Sequence, residues 1–202
     1  MKNFTEDLGI TGHLTIIKKM NTGEEEVLLD DPNIIVSGMG VGLSYLFTAS
    51  GSDSVLDYQI DRFQVGISGP PAGGVTSAIY ELSGALSSTD EYGAGSNLFT
   101  EVQDQITNGT LTLNSTFALI PASKITRVGE SSVRYTLVID EEACNGITRN
   151  TQSRAINEVG LFMKNPTGAT PDPNPILVAY RTFSDIIKTN DFSLIFRWTL
   201  NF

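Results

Sequence analysis

From Phe192 onward the chain alternates almost without a break. Phe192, Leu194, Phe196, Trp198, Leu200 and Phe202 take every second position, and Ser193, Arg197, Thr199 and Asn201 fill the gaps. Ile195 is the one apolar residue on the polar side. Side chains point to opposite faces of a strand in turn, so this is a half-buried β-strand with an aromatic stripe along one face. No polar residue follows Phe202. Chain ends fray unless pairing ties them down, so the strand is expected to be built into a sheet or an interface. The feature is architectural and carries no sign of catalysis.

Upstream, short apolar runs alternate with turn residues. Leu14–Ile17 and Val27–Leu29 flank Asn21-Thr22-Gly23 and predict a hairpin, ended by Asp30-Asp31-Pro32. Between Asn33 and Ala49, Val36, Met39, Leu43, Leu46 and Phe47 recur at helical spacing, with Asn33 or Ser37 as cap. Gly38, Gly40 and Gly42 weaken that helix but let another backbone come close, as suits a helix lying flat on a sheet. Further strands are expected around Tyr58–Ile67, Thr110–Leu113, Phe117–Ile120, Lys124–Val128, Val133–Ile139, Ile156–Lys164 and Ile176–Phe183, with Ile186-Ile187-Lys188 after the last. Many short strands and one helix predict a mainly β chain. An antiparallel, jelly-roll-like β-sandwich is the first choice and a barrel the second, as one domain over residues 1–202.

Residues 72–97 interrupt this pattern with a long Gly-, Ser- and Ala-rich stretch. A long segment without its own period is typically a functional loop or an arm reaching a partner. Val75, Ile79, Tyr80, Leu82 and Leu86 could form one apolar face in it, so they are the expected assembly contacts.

Composition narrows the functional classes. Among 202 residues, 40% are hydrophobic and 18% charged, the balance of a soluble folded chain. A net charge of −10 with only 13 Lys and Arg excludes a general nucleic-acid binder, because phosphate contacts need clustered cations. Only a local patch at Arg149, Arg154, Lys164 and Arg181 would be an exception. The N-terminal residues lack the charged and apolar blocks of a secretory signal, and no run is long enough to span a bilayer. The sequons at Asn3, Asn108 and Asn114 are therefore read as chance matches.

Chemistry-bearing motifs are sparse. Cys144 and His13 are each the sole residue of their type, which rules out a disulfide within the chain and a thiolate-rich metal site. Acidic Glu141 and Glu142 beside Cys144 disfavour a thiolate, and no nucleophile elbow accompanies His13. Glu24-Glu25-Glu26, Asp30-Asp31 and Asp140-Glu141-Glu142 lack the spacing of a calcium loop and read as solvated turns. Gly38-Met39-Gly40-Val41-Gly42 lacks the Lys-Ser/Thr ending of a phosphate loop. No metal, cofactor or catalytic residue is expected, and the chain is read as a non-enzyme.

One resemblance gives the reading direction. Asn157-Glu158-Val159-Gly160-Leu161-Phe162, then Leu177-Val178-Ala179-Tyr180-Arg181-Thr182-Phe183, then Ile186-Ile187-Lys188 and the alternating strand, resemble a recurrent ending of tailed-bacteriophage virion structural proteins. Asn33–Gly38 running into a Leu-rich helix, and Phe63–Ser68, resemble the same group, so about half the chain is covered. The pattern occurs in neck, collar, baseplate and fibre-attachment components. It implies a symmetric homo-oligomer contacting other virion proteins, made in the bacterial cytoplasm and carried in the virion. From the residues themselves, Glu158 beside Gly160 is expected to pair with Arg181 or Lys188 on neighbouring strands and pin their register. Two other classes stay open: a glycan-binding jelly-roll module, lectin-like or for host recognition, and a hydrolase with a carboxylate pair.

Overall fold

The computed structural model describes residues 9–51, 58–71, 74–87, 89–96, 117–165 and 175–202. The aromatic stripe lies on β12 (Phe192–Asn201), the middle strand of a five-stranded sheet. Its neighbours are β1 (Thr11–Met20) and β7 (Ser132–Ile139), with β2 (Glu25–Pro32) beyond β1 and β6 (Ile125–Arg127) beyond β7. The second sheet runs in the order β3 (Ile34–Ile35), β11 (Ile176–Ile186), β10 (Ile156–Met163), β4 (Ile60–Gly66) and β5 (Ala118–Leu119). Every strand pair among the described residues is antiparallel.

The two sheets pack face to face as a sandwich. Trp198, Phe196 and Leu14 from one meet Phe63, Val65, Val159 and Leu161 from the other in one buried cluster. The ring centroids of Trp198 and Phe63 lie 6.0 Å apart. Each sheet ends in edge strands, so the expected sandwich stands and the barrel does not.

The helix is shorter than expected. Helix α1 spans Ser37–Phe47 with Val36 at its N-cap and no side-chain cap, because Asn33 is not helical and Ile34 and Ile35 form β3 beside β11. Its glycines let it lie on the sheet. A Cβ on Gly38 would collide with the Leu177 carbonyl oxygen, and one on Gly42 with the Met163 sulfur.

A hairpin of β8 (Thr148–Arg149) and β9 (Gln152–Ser153) was not expected from the sequence. Asn150 and Thr151 turn it with φ of 52° and 64°, the primed-turn geometry that Asn-Gly ordinarily signals. The expected strand Thr110–Leu113 falls outside the described residues.

Candidate assembly surface

Two outer faces remain once the sandwich is closed. On the β3–β5 sheet, the outward side chains Phe162, Leu177 and Tyr180 are buried in a second cluster with Val36, Leu82 and Phe117. Phe117 meets Phe162 edge-on at 5.1 Å. The cover is residues 74–87, which the sequence marked as a loop or arm. Backbone bonds run along it: Ile67 N to Gly84 O at 2.9 Å, Leu86 N to Val65 O at 2.9 Å, and Ser37 N to Ser77 O at 2.8 Å.

Glu158 holds this cover down. Its side chain is fully buried. Oε1 accepts the Gly84 amide at 2.7 Å, and Oε2 accepts the Ser83 amide at 3.1 Å and the Tyr180 hydroxyl at 2.5 Å. Space for it comes from Gly66 and Gly69, where a Cβ would overlap Glu158. Burial, and then the bond to Glu158, push the Tyr180 phenol far above its ordinary range. A second clamp lies just beyond. Arg149 forks onto Asp90 at 2.6 and 2.7 Å and reaches the Ala85 carbonyl at 2.8 Å. The bond to Asp90 raises the Arg149 pKa further, holding it charged.

The expected pairing of Glu158 with Arg181 or Lys188 is therefore corrected. Glu158 lies opposite Thr182, and Arg181 opposite Val159, so the strand period turns Arg181 to the other face. There Arg181 crosses to the first sheet, bonding Asp31 at 2.8 Å and the Pro32 carbonyl at 2.9 Å. Lys188 follows the end of β11. Its ammonium is buried, bonds Asn145 Oδ1 at 2.9 Å and the Thr189 carbonyl at 2.7 Å, and lies over the Phe192 ring. Desolvation lowers its pKa.

The five expected contact residues are divided. Leu82 and Leu86 are buried within the protomer, and Val75 and Ile79 pack half-buried on the second cluster. Only Tyr80, 68% exposed, is turned to solvent. The basic residues weighed as a patch are also dispersed: Arg149 on Asp90, Arg154 on Gln152, Lys164 near Asp61 and Arg181 on Asp31.

The outer face of the first sheet is finished differently. Val27 lies opposite Ile17, Ile17 opposite Ile195, and Ile195 opposite Val138, which sets four apolar side chains in one row across four strands. Val27 is 61% and Val138 44% exposed, whereas Ile17 between them is buried. The next row is Asp30, Thr15, Arg197 and Thr136, and the one beyond carries His13, Thr199 and Arg134. Asp30 accepts from Thr15 at 2.7 Å and contacts His13 at 2.9 Å; both hold its carboxyl below its ordinary pKa. The β2 side of this face is acidic and the β12–β7 side basic. The row was missed in the sequence, although Ile195 on the polar side of the stripe was its visible trace.

A pocket of about 550 Å³ opens elsewhere, lined in part by Glu141, Glu142, Asn145, Lys188, Thr189 and Asn190. Among the described residues, no three His, Cys, Asp or Glu side chains gather as metal ligands, and no helix is long and apolar enough to cross a membrane. Compared with known proteins, the chain matches no family model, no curated protein and no solved structure.

Proposed function

We propose that this chain is a non-enzymatic structural component of a tailed-phage virion, acting as a symmetric oligomer in the neck, collar or tail. The resemblance in β10, β11 and β12 supplies the virion context. The exposure of Val27 and Val138, at the two ends of the apolar row on the outer face of the first sheet, is the observation that carries self-association, because it offers a partner what the second sheet already receives from its own chain. The ionic groups here fit a structural role: buried Glu158 and Asp90, with part-buried Arg149, hold Ser83, Gly84 and Ala85 against the sheets. Immunogold labelling of purified phage particles, with antibody against this chain, is expected to decorate the neck or tail. Particles without label, from a host expressing the chain, would sink the reading.

A glycan-binding module is the second reading, favoured by the pocket at Asn145 and Lys188, whose amide, carboxylate and hydroxyl groups suit sugar hydroxyls. Saturation-transfer NMR with a panel of bacterial surface glycans tests it. Specific transfer that Asn145→Ala abolishes would favour this reading over a purely structural one.

A further inference from the structure

We infer that the outer face of the β2-β1-β12-β7-β6 sheet pairs with the same face of a second copy, about a two-fold axis parallel to the strands. The inference rests on the oligomeric reading above and names the surface and symmetry of the contact. A two-fold contact uses one patch on both copies, so the patch must complement itself. Only two in-plane axes stack this face on itself with its strands aligned. The axis along the strands keeps each row at its own level and reverses the order of the columns. Val27 then lies over Val138 of the other copy, so the two exposed apolar side chains of the row cover each other, with the already buried Ile17 opposite Ile195 between them.

Charge selects the same axis. The column reversal brings Asp30, on the β2 side, beside Arg197 of the other copy, and the Pro32 end of β2 beside its Arg134. Arg197 makes no ion pair or hydrogen bond among the described residues, and Arg134 reaches only Thr199 Oγ1 at 3.4 Å. Arg197 therefore stands ready for a carboxylate. The perpendicular axis would instead stack acidic β2 on acidic β2, and like charges face to face oppose association.

Size fits a modest dimer. At strand spacings of about 4.8 Å and a rise of about 3.4 Å per residue, four strands give a face of about 500 Å² per copy, so the pair reaches about 1,000 Å², where specific interfaces begin. Aligned sheets pack at about 30°, as sandwich sheets do within one chain.

Two measurements test this. In sedimentation equilibrium the wild-type chain is expected to dimerise, Arg197→Glu to weaken the dimer by about tenfold or more, and Asp30→Arg added to Arg197→Glu to recover part of the loss. Thermal melting of each variant checks that the fold is intact. In the second, Val27→Cys/Val138→Cys is treated with a bis-maleimide too short to join the two positions within one chain, which lie about 14 Å apart; Cys144 is buried. A covalent dimer from the double variant, and none from either single variant, is the expected result. Cross-linking of Val27→Cys alone would mean the perpendicular axis and overturn the inference. Oligomers indifferent to all these changes would overturn it while leaving the virion reading in place. A strict monomer would also overturn it, with the labelling of particles still deciding the virion reading.

Discussion

On the outer face of the second sheet, Phe162, Leu177 and Tyr180 lie under Leu82 and Phe117; on the outer face of the first, Val27 and Val138 stand open. Both faces carry apolar side chains that a sheet cannot leave bare without consequence. One receives its cover from the same chain, fastened by a buried carboxylate. The other has charges arranged around its apolar row. The difference teaches that exposure alone does not mark an interface. The covered face carries larger apolar side chains, Phe162, Leu177 and Tyr180, and its need is already met. A contact surface is better recognised where exposed apolar side chains lie beside a charge, here Arg197, that has no intramolecular ion pair among the described residues.

The largest expected effect is on the covered face. Glu158→Ala strands two amides and a phenol in a dry site, each costing about 1–3 kcal/mol, and should destabilise the fold by about 3–5 kcal/mol in total. Hydrogen exchange should quicken first at residues 74–87. Exchange that quickens evenly along the chain would mean that Glu158 does not fasten the cover.

Alkaline pH should act in the same direction. Burial raises the phenols of Tyr92, Tyr135 and Tyr180, that of Tyr135 to about 12. Above pH of about 10 the unfolded chain loses phenolic protons that the folded chain keeps, so stability falls as pH rises. For Tyr135 alone the loss approaches about 2–3 kcal/mol by pH 12. Lys188 has the opposite sign: its lowered pKa makes stability rise with pH until the unfolded amine also deprotonates at about 10.5. Melting midpoints should therefore drop steeply only beyond that point. A midpoint flat to pH 12 would contradict the buried phenols.

A smaller effect is expected at Gly160, where a Cβ would meet Leu82 Cδ1 at 2.7 Å and Leu177 Cδ1 at 2.6 Å. Gly160→Ala should cost about 1–3 kcal/mol by prising the cover from the strand, measured as a lowered melting midpoint. On the open face, Val138→Glu should change stability by no more than about 0.5 kcal/mol, since the side chain is already in solvent. A large loss there would mean that the face is closed within the protomer.

How much was legible in the sequence follows from what each signal is made of. The alternation from Phe192 is local, and it predicts the strand and the buried stripe from Phe192 to Leu200; Phe202, expected on the same stripe, lies beyond β12 and is half exposed. The glycines at 38 and 42 foretold a helix pressed on the sheet, but the boundary at Val36 was missed because Ile34-Ile35 pairs with β11 and overrides the helical spacing. Glu158 stands out in the sequence as a strand-pinning residue, but its partners in the fold are not the expected Arg181 or Lys188. Which face Arg181 takes depends on register, which local pattern does not carry. Amide donors such as Ser83 and Gly84 leave no trace in residue identity at all. The open row was hidden for a related reason, since four strands scattered between Ile17 and Ile195 meet only in the folded sheet.

The most direct test of the contrast sets one exposed apolar residue from each face against the other. Sedimentation equilibrium of Val138→Glu, on the open face, and of Tyr80→Glu, on the cover, reads which one carries self-association. The account predicts that Val138→Glu leaves a folded monomer while Tyr80→Glu still dimerises like the wild type. A dimer lost with Tyr80→Glu and kept with Val138→Glu would contradict it.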